Sequence, residues 1–339
     1  MNELVFPVVG ALLVLTLVLP LFALLAKAGL LLLERDAAGG PLHGFNLRYL
    51  LLTGASTLPL AWLVSSALHQ AEPGGTVLAC LFDHASGLCL EPGGFAAMLC
   101  VGALVCSARA LGGRQRAPIS TTPRARALLE RLEALVAQQP SLGFLSGRVR
   151  VTEEPGFALE TQGLLYPRVV IGARYAEALS EESVTSALGH EAEHVRAFDP
   201  LRYLVLELAL AMNPVGRKLL APHAFRWLAA REAHCDREAV LQGSPPLALA
   251  EAIVRAARPP SPGVVALGAR DTTLLRLRVS LLVAFTEQRP SRCCHRSHSA
   301  FPAVLMLFAL ALLLPHETGT AALDALHTSS EHAVLYAWR

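Results

Sequence analysis

Charge is scarce in this chain. Only 17% of its 339 residues are Asp, Glu, Lys or Arg, against about 25% in an ordinary soluble domain. With 53% hydrophobic residues and a mean hydropathy of +0.45, that scarcity argues against a wholly water-soluble protein. Aromatics are few, and there is no internal repeat and no low-complexity tract that would suggest a disordered chain. Seven cysteines in this length are too few for a disulfide scaffold. A net charge of +2 carries no indication of nucleic-acid binding. The residues before the first apolar run, Met1 to Glu3, include no Lys or Arg. A removable signal peptide needs a positive segment there, so the run reads as an anchor.

What is present is long apolar runs. Leu4 to Ala26 and Tyr49 to Leu68 are uncharged and long enough to cross a hydrocarbon core of about 30 Å. Gly93 to Ala108 and Ala300 to Pro315 are shorter, and their near-continuous apolar character makes them the third and fourth expected spans. Of 29 Lys and Arg residues, 25 lie between Arg109 and Arg296. The loop 69–92 has none and the tail 316–339 only Arg339. Positive charge on alternate sides of four crossings puts both termini outside and residues 109–299 in the cytoplasm. The arginine-rich stretch 109–126 reads as a juxtamembrane linker drawn to anionic lipid rather than to nucleic acid.

Within the cytoplasmic part, Leu128, Leu132 and Leu135 recur at helical spacing. Arg148 to Thr152, Phe157 to Thr161 and Val169 to Gly172 read as short strands. Ser180 offers an N-cap, followed by Glu181 and Glu182, to a helix expected to run to about Phe198 and stop at Pro200. That helix carries His190-Glu191-Ala192-Glu193-His194. Residues four apart share a helix face, so His190 and His194 can grip one zinc ion. Glu191 then stands beside the metal as the general base for an attacking water. A catalytic zinc needs a third protein ligand, and Glu232 is the preferred candidate, with His234 and Cys235 as alternatives. Glu232 falls on a second helix expected from about His223, and Asp236 lies one turn further, able to hydrogen-bond a ligating imidazole. Between the two motifs, Leu204 to Met212 reads as a core or membrane-surface helix.

Glu-x-x-x-Asp downstream of His-Glu-x-x-His, between the third and fourth of four spans, resembles the BlaR/MecR-type antirepressor metallopeptidases. Phe157-Ala158-Leu159-Glu160-Thr161-Gln162-Gly163 and Leu165-Tyr166-Pro167-Arg168-Val169-Val170-Ile171 are similar to the segment preceding the zinc helix in that family, and Asp199 follows His194 in the same way. The resemblance covers roughly residues 1–243. It implies a multi-pass α-helical membrane protein with a cytoplasmic α+β gluzincin-type metalloprotease domain and one zinc ion per chain. It also implies a protein or peptide substrate, such as a transcriptional repressor cleaved on signal, in the bacterial cytoplasmic membrane. The strand near Phe157, Ala158 and Thr161 would be the edge to which an extended substrate adds.

The chain departs from that family where β-lactam sensors carry a penicillin-binding domain. The 24 residues from His316 to Arg339 contain no Ser-x-x-Lys, so covalent antibiotic sensing is not expected. An HtpX-type quality-control protease uses the same metal motif, but with further spans between the zinc helix and its glutamate; here 38 residues separate His194 from Glu232. A silent signalling receptor is the reading from another class, and an intact Glu191 speaks against it. The oxyanion-stabilising group stays open among Tyr203, His223, His234 and Arg231. Pairing of Cys80 with Cys89 stays open too, and Cys293, Cys294, His295 and His298 match no standard zinc spacing.

Overall fold

The structure is a computed structural model that describes residues 12–35, 45–70, 117–257 and 272–287, with isolated positions 101, 102, 104, 105, 325 and 329. The described chain divides into two compact units. One contains the N-terminal helices and Leu204–Trp227; the other comprises Gln115–Tyr203 and Leu228–His298. The expected spans 93–108 and 300–315 lie outside the described residues apart from those isolated positions, as do Cys80, Cys89 and the stretch Cys293 to His298.

In the first unit a π-helical turn, Val14–Val18, leads into α1 (Leu19–Arg35). Among the described residues one helix, Val14–Glu34, is long and apolar enough to cross a membrane. It extends past the run Leu4 to Ala26, because the backbone stays helical through Lys27 into Glu34; Leu4 to Gly10 lie outside the described residues. Leu19, Ala23, Ala26 and Leu30, at spacings of three and four, are buried. The opposite side leaves Leu17, Leu21, Leu25 and Leu32 exposed. A helix apolar on both its packed and its open face suits lipid better than water. α2 (Phe45–Gln70) contains the second apolar run and packs Phe45 and Tyr49 against Trp227. The Ser56 hydroxyl donates to the Ala209 carbonyl, and the Asn213 amide to that of Leu19.

The second unit begins with α3 (Pro123–Gln138), capped by the Thr122 hydroxyl, which accepts from the Ala125 N–H at 3.1 Å. Its buried stripe, Ala125, Leu128, Leu132 and Val136, closes over the sheet. A 3₁₀ turn, Pro140–Leu145, leads to β1 (Val149–Thr152), followed by β2 (Leu159–Gln162) and β3 (Arg168–Gly172). The strand order is β1-β3-β2, with β1 parallel and β2 antiparallel to β3. Val149, Val151, Val169 and Ile171 share one core with the α3 stripe, and in β3 the intervening Val170 is buried as well. β2 starts two residues later than expected: Phe157 and Ala158 precede it, and the Ala158 carbonyl accepts from the Gly172 N–H at 2.7 Å.

That contact makes Gly172 a steric requirement. A Cβ at this position would stand 2.0 Å from the Phe157 carbonyl oxygen, which is backbone and cannot swing away. Gly172→Ala is therefore expected to push the Phe157–Ala158 segment off β3 and to cost about 1–3 kcal/mol, as overpacking does. A thermal unfolding curve matching wild type would count against the close approach.

A short helix α4 (Ala173–Glu177) follows, then α5 (Glu181–Arg196), whose N-cap is the expected Ser180, accepting from the Ser183 N–H at 3.1 Å. α5 is buried on nearly every side. Its end differs from expectation. Phe198 adopts a left-handed φ of 54°, and Pro200 stands in the first turn of α6 (Asp199–Met212) rather than after a helix stop. Proline suits a first turn because its missing N–H has no partner there anyway. α7 (Gly216–Leu241) likewise starts earlier than His223 and carries Pro222 in its interior. α8 (Pro246–Ala256) and α9 (Thr272–Glu287) complete the described elements. The result is a mostly helical chain with a small mixed sheet, so an α+β domain.

Candidate metal centre

His190 and His194 lie one turn apart on α5, and both imidazoles are buried. Their Nε2 atoms are 3.2 Å apart. Glu232, from α7, brings Oε2 to 3.4 Å from His190 Nε2 and Oε1 to 3.5 Å from His194 Nε2. Donors bound to one ion at about 2.0–2.1 Å in tetrahedral positions lie roughly 3.3 Å from each other. Each Glu232 oxygen stands near one of the two imidazoles, so the carboxylate borders the pair of Nε2 atoms. His190, Glu191 and His194 form a buried group whose donor atoms lie within 4.8 Å of one another, and that group could hold a metal ion.

Each imidazole has a carboxylate on its far nitrogen. His194 Nδ1 is 2.6 Å from Asp199 Oδ2, and His190 Nδ1 is 2.8 Å from Asp236 Oδ1. The second contact is close but off the ring N–H direction, so it acts as an ion pair more than as an aligned hydrogen bond. The Asp199 bond keeps the proton of His194 on Nδ1 and leaves its Nε2 as the donor to a metal. Burial opposes charge on Asp199, but the guanidinium of Arg231, whose Nε donates at 2.5 Å, holds the carboxyl below its usual range. Arg202 adds a contact at 3.2 Å. Burial opposes charge on His190 too. The Asp236 and Glu232 carboxylates outweigh it and raise the imidazole to about 9. A field that attracts a proton this strongly is one that suits a dication.

Glu191 points to the sheet. The Thr161 hydroxyl, on β2, donates to Glu191 Oε2 at 2.6 Å. Thr161 is buried and its side chain meets the glutamate. Phe157 and Ala158 are half-buried in the turn before β2.

Arg278 is a member of this cluster that no sequence motif signals. It arrives from α9, 42 residues after Asp236, with Nε 2.7 Å from Asp236 Oδ2 and Nη1 2.9 Å from Glu232 Oε2. The role of Asp199 was visible only through the family resemblance, and the roles of Arg202 and Arg231 not at all. His194, Asp199 and Cys235 also come together, but the Arg231 guanidinium already supplies the positive charge on that side. Of the residues considered for an oxyanion, Arg231 is tied to Asp199 and to the Glu193 carbonyl, while His223 belongs to the other unit and faces Glu34 at 2.8 Å. His234 is pushed down to about 4 by burial and by Arg231. The Tyr203 ring stands 6.4 Å from that of His194.

Comparison with protein-family models, curated proteins and solved structures produced no match for this chain.

Proposed function

We propose that this chain is a membrane-anchored zinc metalloendopeptidase of the BlaR/MecR antirepressor type, cleaving a cytoplasmic protein such as a transcriptional repressor. The observation that carries the reading is the convergence of His190 Nε2 and His194 Nε2, 3.2 Å apart, with Glu232, whose Oε2 and Oε1 lie 3.4 and 3.5 Å from the first and second imidazole, and Glu191 beside them. When bound, zinc supplies a Lewis acid for the scissile carbonyl and eases deprotonation of water. The protein's residues do the rest. Asp199 and Asp236 fix the two imidazoles with Nε2 turned inward. Glu191 accepts the proton of the attacking water on its carboxylate and returns it to the leaving amine. Thr161 holds that carboxylate in place through Oε2. β2 is antiparallel to β3 with no strand on its outer side among the described residues, which leaves an edge for an extended substrate.

The membrane part of the proposal is four crossings with both termini outside and the protease in the cytoplasm. Its support is the one-sided distribution of Lys and Arg and the apolar helix Val14–Glu34. An HtpX-type quality-control protease is the second reading. It is favoured by one observation: Leu204–Trp227, inserted between the zinc helix and Glu232, groups with the apolar N-terminal helices. Against it, α6 has 14 residues, about 21 Å of helix, too short for a core of about 30 Å.

The test is metal content and cleavage of a generic unfolded protein by the full chain purified in a bilayer mimic. Zinc near one per chain together with cleavage is the expected result. No zinc in a well-folded sample would sink the proposal.

A further inference from the structure

We propose that Arg278 is a positioning residue that occupies one oxygen of Glu232 and so restricts this glutamate to a single metal-donor oxygen. The inference rests on Glu232 being a metal ligand, as above. Arg278 spreads its guanidinium over two carboxylates. Nε and Nη2 donate to Asp236 Oδ2 and Oδ1 at 2.7 Å each, Nη2 also lies 3.5 Å from His190 Nε2, and Nη1 forms an ion pair with Glu232 Oε2 at 2.9 Å. The fork on Asp236 fixes the plane of the guanidinium, which fixes where Nη1 points. Glu232 Oε2, though 3.4 Å from His190 Nε2, is therefore engaged already, while Oε1 faces His194 Nε2 at 3.5 Å. The side chain is 14% exposed, so little water competes for these contacts.

The chemical consequence concerns the open position. A carboxylate free to swing can offer both oxygens to a metal ion, and the second fills the space that a catalytic site keeps for water or substrate. A cation fixed on Oε2 removes that option. Asp236 serves two ends of the arrangement, orienting His190 through Oδ1 and anchoring Arg278 through both oxygens. Lysine cannot duplicate this, because its ammonium is a point charge without the planar fork.

Cobalt(II) replacing zinc reads coordination directly, since its visible bands are intense in four-coordinate sites and fade as ligands are added. The full chain in a bilayer mimic is loaded with cobalt alone, with folding followed by circular dichroism and metal by elemental analysis. Wild type is expected to give the intense spectrum. Arg278→Gln is expected to retain one cobalt but to lose band intensity several-fold, with Arg278→Lys in between. Should the glutamine variant fail to fold, Arg278→Met, which keeps the aliphatic stem, is read the same way. A folded, fully loaded glutamine or methionine variant with the wild-type spectrum would overturn the inference. No cobalt uptake by wild type would overturn it differently, by removing the metal reading on which it stands.

Discussion

Replacing Glu191 with glutamine is expected to abolish peptide hydrolysis while leaving the metal content of the protein unchanged. Glutamine keeps the shape of the side chain, and its amide oxygen can still accept from the Thr161 hydroxyl that donates to Oε2 at 2.6 Å. What it cannot do is take a proton. A positioned general base contributes about 10²–10⁴-fold, so turnover should fall to the limit of detection in an assay with an unfolded protein substrate. The metal should stay if, as proposed, His190, His194 and Glu232 are its ligands. Loss of metal together with activity would make Glu191 a ligand. Undiminished cleavage would remove it from the mechanism.

The second large effect is expected away from the donors, at Asp199. This carboxylate is fully buried and gathers His194 Nδ1 at 2.6 Å, Arg231 Nε at 2.5 Å and Arg202 Nη1 at 3.2 Å. Asp199→Ala removes the counter-charge that Asp199 supplies to the buried Arg231 and Arg202, and breaking a buried ion pair costs about 3–5 kcal/mol. It also frees the His194 ring to rotate. Loss of such an outer carboxylate lowers metal affinity by about 10–100-fold. Chemical unfolding and competition with a chelator measure the two consequences separately. Asp199→Asn retains the size and separates charge from packing. An alanine variant with wild-type stability and metal affinity would show that Asp199 neither balances the arginines nor orients the imidazole.

Much of the local structure was legible before any coordinates. The Ser180 cap, the acidic first turn and the spacing of His190 and His194 describe α5 almost residue by residue, because capping and helical periodicity are local properties. β1 was legible from its alternation of apolar and polar residues, and β3 as a short apolar run after Gly163 and Pro167. The errors fell on prolines. Pro200, expected to stop a helix, stands in the first turn of α6; α7, expected from about His223, begins at Gly216 with Pro222 inside it. A proline marks a local constraint on the backbone, but whether it begins, ends or interrupts a helix depends on what packs around it.

The amino-acid sequence determined the candidate donor types and their spacing: two imidazoles four residues apart on one helix, Glu191 directly after the first, and a distant Glu-x-x-x-Asp. It determined them because a helix converts sequence spacing into a shared face without help from the rest of the chain. Tertiary structure alone decided which groups support that face. Thr161 reaches Glu191 from a strand 30 residues earlier, and Arg278 reaches Asp236 from a helix 42 residues later. Arg231 closes on Asp199 across 32 residues. Ordinary threonines and arginines carry no mark of such roles. Their value arises when burial brings opposite charges together out of water, and no spacing rule along the chain encodes that.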